Sequence, residues 1–132
     1  MANNQSVALL QAGQAEDALQ AVGDTPDEFA DAGDTRLQAM ALGNRAAALD
    51  ALGHSAEAEQ DYTAAADLLK SIGETDLRAH VLQSLSQLQL KSGRQLEALA
   101  SMQSGLDGVQ RPSLKQRLIK RLLKKPFDLL KR

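Results

Sequence analysis

Glycines recur along this chain at Gly13, Gly53 and Gly93 and again at Gly33 and Gly73, each set at intervals of 40 residues. Other positions superpose at the same offset: Ala18, Ala58 and Ala98; Asp27, Asp67 and Asp107; Thr35 and Thr75; Leu37 and Leu77; Ala39 and Ala79; Leu42 and Leu82; Glu57 and Glu97. A repeat of this length marks an array of supersecondary units that bury their apolar faces on one another. Glycine at fixed places supplies the turns, and the small residues between let neighbouring elements approach closely.

The residue types decide what the units are made of. Of 132 residues 43% are hydrophobic, yet the chain holds only two Phe, one Tyr and no Trp, so its core is built from Ala and Leu. Strong helix formers dominate and strand formers are scarce, which predicts an all-α chain. There is no cysteine, which excludes disulfides and cysteine-based metal or redox sites. No secretory signal opens the sequence and no apolar run reaches the roughly 18 residues of a membrane span, so a soluble cytoplasmic protein is expected.

Apolar residues Leu37, Met40, Ala41, Leu42, Ala48, Leu49 and Leu52 recur at helical spacing after Asp34-Thr35, a start suited to capping, and Gly53 closes that helix. A second helix follows His54-Ser55, carries Ala58, Tyr62, Ala65, Ala66, Leu68 and Leu69, and stops at Ile72-Gly73, giving one hairpin. A second hairpin runs from Glu74-Thr75 through Leu77, Val81, Leu82, Leu85, Leu88 and Leu90 to Gly93, with its partner helix from Gln95 to about Gly105. Upstream, Ser6–Ala12 and Gln14–Val22 form a shortened first hairpin, broken at Gly23-Asp24. Thr25-Pro26-Asp27-Glu28 restarts a short helix, with Thr25 as the expected cap, Pro26 in the first turn and Glu28 completing a capping box.

Leu82, Leu85, Ser86, Gly93, Ala98 and Met102, together with Leu42, Ala46, Leu49, Gly53, Ala58, Tyr62 and Ala65, fall in a pattern that resembles the tetratricopeptide repeat. The segment from Asp67 through Ile72-Gly73-Glu74 to Leu82 is similar to the longer, roughly 40-residue variety of that repeat. HEAT-like repeats are the alternative of similar length. The resemblance spans about residues 5–110 and implies a right-handed α-solenoid of antiparallel helix hairpins that binds a peptide or protein segment in a concave groove. Carried over by position, the groove presents Met40, Gly43, Asn44, Ala47 and Ala51 from one hairpin and His80, Gln83, Gln87 and Lys91 from the next. Where the family holds a terminal carboxylate with Lys, Asn and Arg, this chain has Gly43 and Ala47 in two of the places, which argues against that mode. Gln83 and Gln87, four apart on one face, can bond an extended peptide backbone instead.

Charge divides the chain in two. Residues 1–110, the helical repeat domain, hold 16 acidic and 6 basic residues, net −10, whereas residues 111–132 hold 1 acidic and 9 basic, net +8. In that segment Leu114, Leu118, Ile119, Leu122, Leu123 and Leu130 share one side of a helical wheel, with Arg117, Lys120, Arg121, Lys124, Lys125 and Lys131 mainly opposite. An amphipathic helix of this kind can cap the end of the repeat domain. The same basic surface, Arg117, Lys120, Arg121, Lys124 and Lys125, can instead meet an anionic membrane. Nucleic acid is disfavoured, since no stacking aromatics are interleaved with the cations. Leu114, Leu118 and Leu122 can also form the seam of a homodimer between solenoid ends.

No phosphate-binding loop, dinucleotide fingerprint, nucleophile elbow or zinc-peptidase signature is present, and His54 and His80 fall in different repeats. A non-catalytic adaptor, scaffold or assembly factor without cofactor is therefore expected. The acidic set Asp24, Asp27, Glu28, Asp31 and Asp34 lacks calcium-loop spacing, and acids at helix starts are favoured by the helix dipole in any case, so no metal is expected.

Overall fold

The turn that joins one helix to the next sets the architecture. At Gly53 the backbone takes φ +84, a conformation that side chains with a Cβ rarely adopt. Its N–H donates to the Asp50 carbonyl at 3.0 Å and the His54 N–H donates to the Leu49 carbonyl at 2.9 Å, closing the helix as a Schellman motif. His54 then serves as the N-cap residue of the following helix. The same pair of bonds recurs at Gly13, Gly33, Gly73 and Gly93, so one short turn is reused down the chain.

The computed structural model describes residues 2–107 and Arg121-Leu122. Among the described residues the structure is all-helical, in the order α1 (Ala2–Gln11), α2 (Ala15–Val22), α3 (Thr25–Asp31), α4 (Thr35–Ala51), α5 (Ser55–Ser71), α6 (Thr75–Lys91) and α7 (Gln95–Asp107). Helices α4, α5 and α6 each have 17 residues. Helices α2 and α3 together span the equivalent stretch, interrupted at Gly23-Asp24. The 40-residue period is thus two 20-residue steps, each a helix and a turn.

Each long helix packs on the next, α4 on α5, α5 on α6 and α6 on α7, while α1 packs on α2 and α1, α2 and α3 pack on α4. The core is alanine-rich, as composition predicts. Ala46 and Leu49 of α4, Ala58, Tyr62 and Ala66 of α5, and Leu82, Leu85 and Leu88 of α6 form one cluster. Ala39, Leu42, Ala65 and Leu69 form a second beside it. At Gly105 a Cβ would lie 3.3 Å from the Ala79 Cα, which marks a close approach of α7 to α6.

Three expectations are corrected. Helix α1 begins at Ala2 rather than Ser6, and α7 continues through Gly105 to Asp107. Thr25 does not cap α3: Asp24 takes the N-cap position, its carbonyl accepts from the Glu28 N–H at 3.0 Å, and the buried Thr25 hydroxyl has no partner. The Thr25–Glu28 capping box is therefore not formed. Of the expected capping segment only Arg121 and Leu122 are described; both are helical, and Leu122 is 62% exposed. Arg117, Lys120, Lys124, Lys125, Leu114 and Leu118 lie outside the described residues. By contrast, Asp34 caps α4 as expected, its Oδ1 accepting from the Leu37 N–H at 3.0 Å.

The interruption at Gly23 has a local cause. Pro26 has no N–H, and its ring would clash with the carbonyl of Val22 in a continuous helix. Gly23 answers with φ +50 and ψ −129, a region closed to other residues, while its N–H still bonds the Leu19 carbonyl. A Cβ there would also meet the Gln20 carbonyl oxygen at 3.3 Å. Gly23→Ala is expected to lower stability by about 1–3 kcal/mol in chemical denaturation. Gly53→Ala, where a Cβ meets nothing within 4 Å, should cost less.

Candidate functional site

Helices α4 and α6 lie on the same side of α5 and leave a groove between them. A cavity of about 220 Å³ there is walled by Ala39, Met40, Gly43, Asn44 and Ala47 of α4 and by Leu77, His80, Val81 and Ser84 of α6. Its floor is Tyr62 and Leu69 of α5. Residues three and four apart stack on one helical face, so the steps 40-43-47 and 77-80-84 each supply one wall.

Both ends of the groove are crossed by ion pairs. At one end Arg36 of α4 stands 3.4 Å from Glu74, the N-cap residue of α6. At the other, Lys91 at the end of α6 donates to both carboxylate oxygens of Asp50 at 2.9 and 3.1 Å. These pairs are exposed, and each contributes at most about 1 kcal/mol. Each links α4 to α6 across one end of the groove.

Within the groove the surface is mostly apolar, with polar atoms at Asn44, His80, Ser84 and the Tyr62 hydroxyl. Tyr62 is 6% exposed. Burial pushes its hydroxyl up to about 12, with the Asp50 carboxylate adding to the rise and the Ser84 hydroxyl opposing it. An apolar channel carrying a few side-chain amide and hydroxyl groups can accept an apolar side chain while bonding peptide groups beside it.

The expected groove residues divide. Met40, Gly43, Asn44, Ala47 and His80 are brought together on the cavity wall. Gln83 and Gln87 are exposed on α6 outside that wall, Ala51 is exposed at the end of α4, and Lys91 is held at the groove's end by Asp50. The floor residues Tyr62 and Leu69 and the wall residues Ala39, Leu77, Val81 and Ser84 are not marked by sequence as groove residues. Leu77 and Ser84 sit one turn to either side of His80, a spacing that would have pointed to them.

Other charged groups fasten helices together. Arg45 of α4 grips Asp61 of α5 with two bonds of 2.6 and 3.0 Å, which raises the guanidinium pKa, and the Asp27 and Asp24 carboxylates add to this. Arg94, at the turn into α7, bonds Glu59 of α5 and also Glu97. The bond from Arg94 holds the Glu59 carboxyl below its ordinary range. Ser6 donates to the Ala18 carbonyl at 3.0 Å, and Ser101 to the side-chain oxygen of buried Gln89 at 2.8 Å. Among the described residues no three His, Asp or Glu side chains converge as a metal site, so Asp24, Asp27, Glu28, Asp31 and Asp34 form none. No described helix is long and apolar enough to cross a membrane. The chain matches no protein-family model, and neither curated proteins nor solved structures show significant similarity to it.

Proposed function

We propose that this chain is a non-catalytic protein–protein interaction module, a short tetratricopeptide-like α-solenoid that holds a peptide or protein segment in the groove between α4 and α6. Gly43 carries this reading. It lies in the interior of α4, where glycine costs about 1 kcal/mol relative to alanine. A Cβ added there would meet nothing within 4 Å, so internal packing does not require its absence. A glycine that weakens its helix and leaves open space in a groove wall fits a surface that receives an incoming chain.

The repeated turn, the stacking of each long helix on the next and the apolar channel support the same reading. Such an architecture presents a preformed surface and needs no cofactor. Adaptor, scaffold and assembly factor are the roles it fits.

Gly43→Leu provides the test, because it fills the groove from its open side. The variant should match or exceed the thermal stability of the original chain. Proteins captured from lysate and identified by mass spectrometry should be lost, and binding of each purified candidate, measured by calorimetry, should weaken at least tenfold. Undiminished binding by a stable Gly43→Leu chain rejects the groove as the binding site.

A further inference from the structure

What the groove between α4 and α6 can seat is limited first by volume. A cavity of about 150 Å³ with aliphatic and aromatic walls holds one benzene ring. The groove cavity, about 220 Å³, is roughly half as large again. Indole exceeds benzene in the same proportion, nine ring atoms to six. A phenyl ring would leave part of the space empty and forfeit the contacts of the walls facing it. Entry is free on the α4 side, where a Cβ at Gly43 would meet nothing within 4 Å.

Charge is the second limit. No Asp, Glu, Lys or Arg lines the cavity, and the charges at its two ends are already matched, Arg36 with Glu74 and Lys91 with Asp50. A charged side chain seated here would be buried without a counter-ion, at a cost that keeps it outside. The occupant is therefore neutral.

Hydrogen bonding decides among neutral groups. Tyr62 lies on the cavity floor and is 6% exposed. The Ser84 hydroxyl stands beside the Tyr62 hydroxyl and donates to the His80 carbonyl at 3.4 Å. With the Ser84 proton so used, Tyr62 donates to the Ser84 oxygen, and the Tyr62 oxygen keeps a lone pair for an incoming donor. Leucine, methionine and phenylalanine bring no donor and would bury that oxygen unmet. Indole brings one N–H and no acceptor, so it leaves nothing of its own unsatisfied. The Met40 thioether on the wall adds a favourable contact for an aromatic ring.

We infer that the groove recognises its partner by a single tryptophan, inserted between Met40 and Gly43 of α4 and Leu77 and Val81 of α6, with its indole N–H donating to the Tyr62 hydroxyl oxygen. This rests on the groove reading above and gives the partner its chemistry, a segment that carries an accessible tryptophan. One buried aromatic anchor of this kind carries much of the energy of an interface.

The chain itself has no tryptophan, so indole fluorescence reports an added probe alone. N-acetyltryptophanamide titrated into the full chain should shift the amide signals of Gly43, Asn44 and His80 and move the indole emission to shorter wavelength. Its 1-methyl derivative, the same ring without the N–H, should bind at least about threefold more weakly. N-acetyllysinamide and N-acetylleucinamide should each bind at least about tenfold more weakly than the tryptophan probe. Tyr62→Phe, checked for folding by circular dichroism, should bind the two indoles alike, and Gly43→Leu should bind neither. Shifts that miss Gly43, Asn44 and His80 overturn the inference, as does equal affinity for N-acetylleucinamide or tighter binding of N-acetyltyrosinamide. A preference for the unmethylated ring that persists in folded Tyr62→Phe assigns the difference to methyl bulk and also overturns it. If the indole probe leaves the groove signals unmoved while Gly43→Leu weakens partner binding, the tryptophan anchor falls and the groove reading stands. If the probe seats in the groove but Gly43→Leu leaves partner binding intact, the partner reading fails and takes the anchor with it.

Discussion

Leu88→Ala is expected to destabilise the chain by about 3–5 kcal/mol, the upper part of the range for a buried leucine. Leu88 is 1% exposed and belongs to the cluster that joins α4, α5 and α6. The cost of such a truncation depends on how far the neighbours collapse into the space. Here Ala46, Ala58 and Ala66 make up much of the cluster, and alanine has no side-chain torsion with which to fill a hole. Closure would require helices to slide, yet α4 and α5 are fastened by Arg45 and Asp61 and the turn into α7 is fastened to α5 by Arg94 and Glu59. Denaturant titration followed by circular dichroism measures the loss. A loss under about 1.5 kcal/mol would show that the helices shift freely and that the ion pairs do not fix their spacing.

Much of this core was legible in the sequence, for an identifiable reason. Apolar spacing and the recurrent glycines place α4, α5 and α6 within a residue or two, because the Schellman turn demands glycine where it acts. What apolar spacing does not register is a buried polar side chain. Ser6, Ser86 and Gln89 all lie in the core, and two of them are satisfied by partners 12 residues away, Ala18 for Ser6 and Ser101 for Gln89. Ala2-Asn3-Asn4-Gln5 extends α1 although it contains no apolar period to announce it. Thr25 is a good cap by type, but Asp24 stands one place earlier and takes the position.

The candidate site was half legible. Positions on α4 and His80 were found by their register in the repeat, whereas Tyr62 and Leu69 belong to the helix beneath and enter only through packing. Register within one helix cannot tell a wall from an outer face when the boundary runs between Gln83 and Ser84, about 100° apart on the wheel. That boundary is set by where α4 lies, a long-range property fixed by the packing of α4 and α6 on α5.

Tyr62 ties the core to the groove and gives the second large effect. The hydroxyl is pushed up to about 12 by burial, against an ordinary value near 10 in the unfolded chain. Below pH 10 both states keep the proton, and the contribution to stability is complete. As pH rises from about 10 to 12 the unfolded state loses its proton first, so stability falls through that window by about 2–3 kcal/mol. Tyr62→Phe isolates this contribution: its stability should decline less over the same range by that amount. Because the chain holds one tyrosine and no tryptophan, tyrosinate absorbance reports the ionisation of this residue alone. A midpoint near 10 in the folded protein would mean that water reaches the groove floor freely, and the picture of an apolar channel closed beneath by Tyr62 would fall with it.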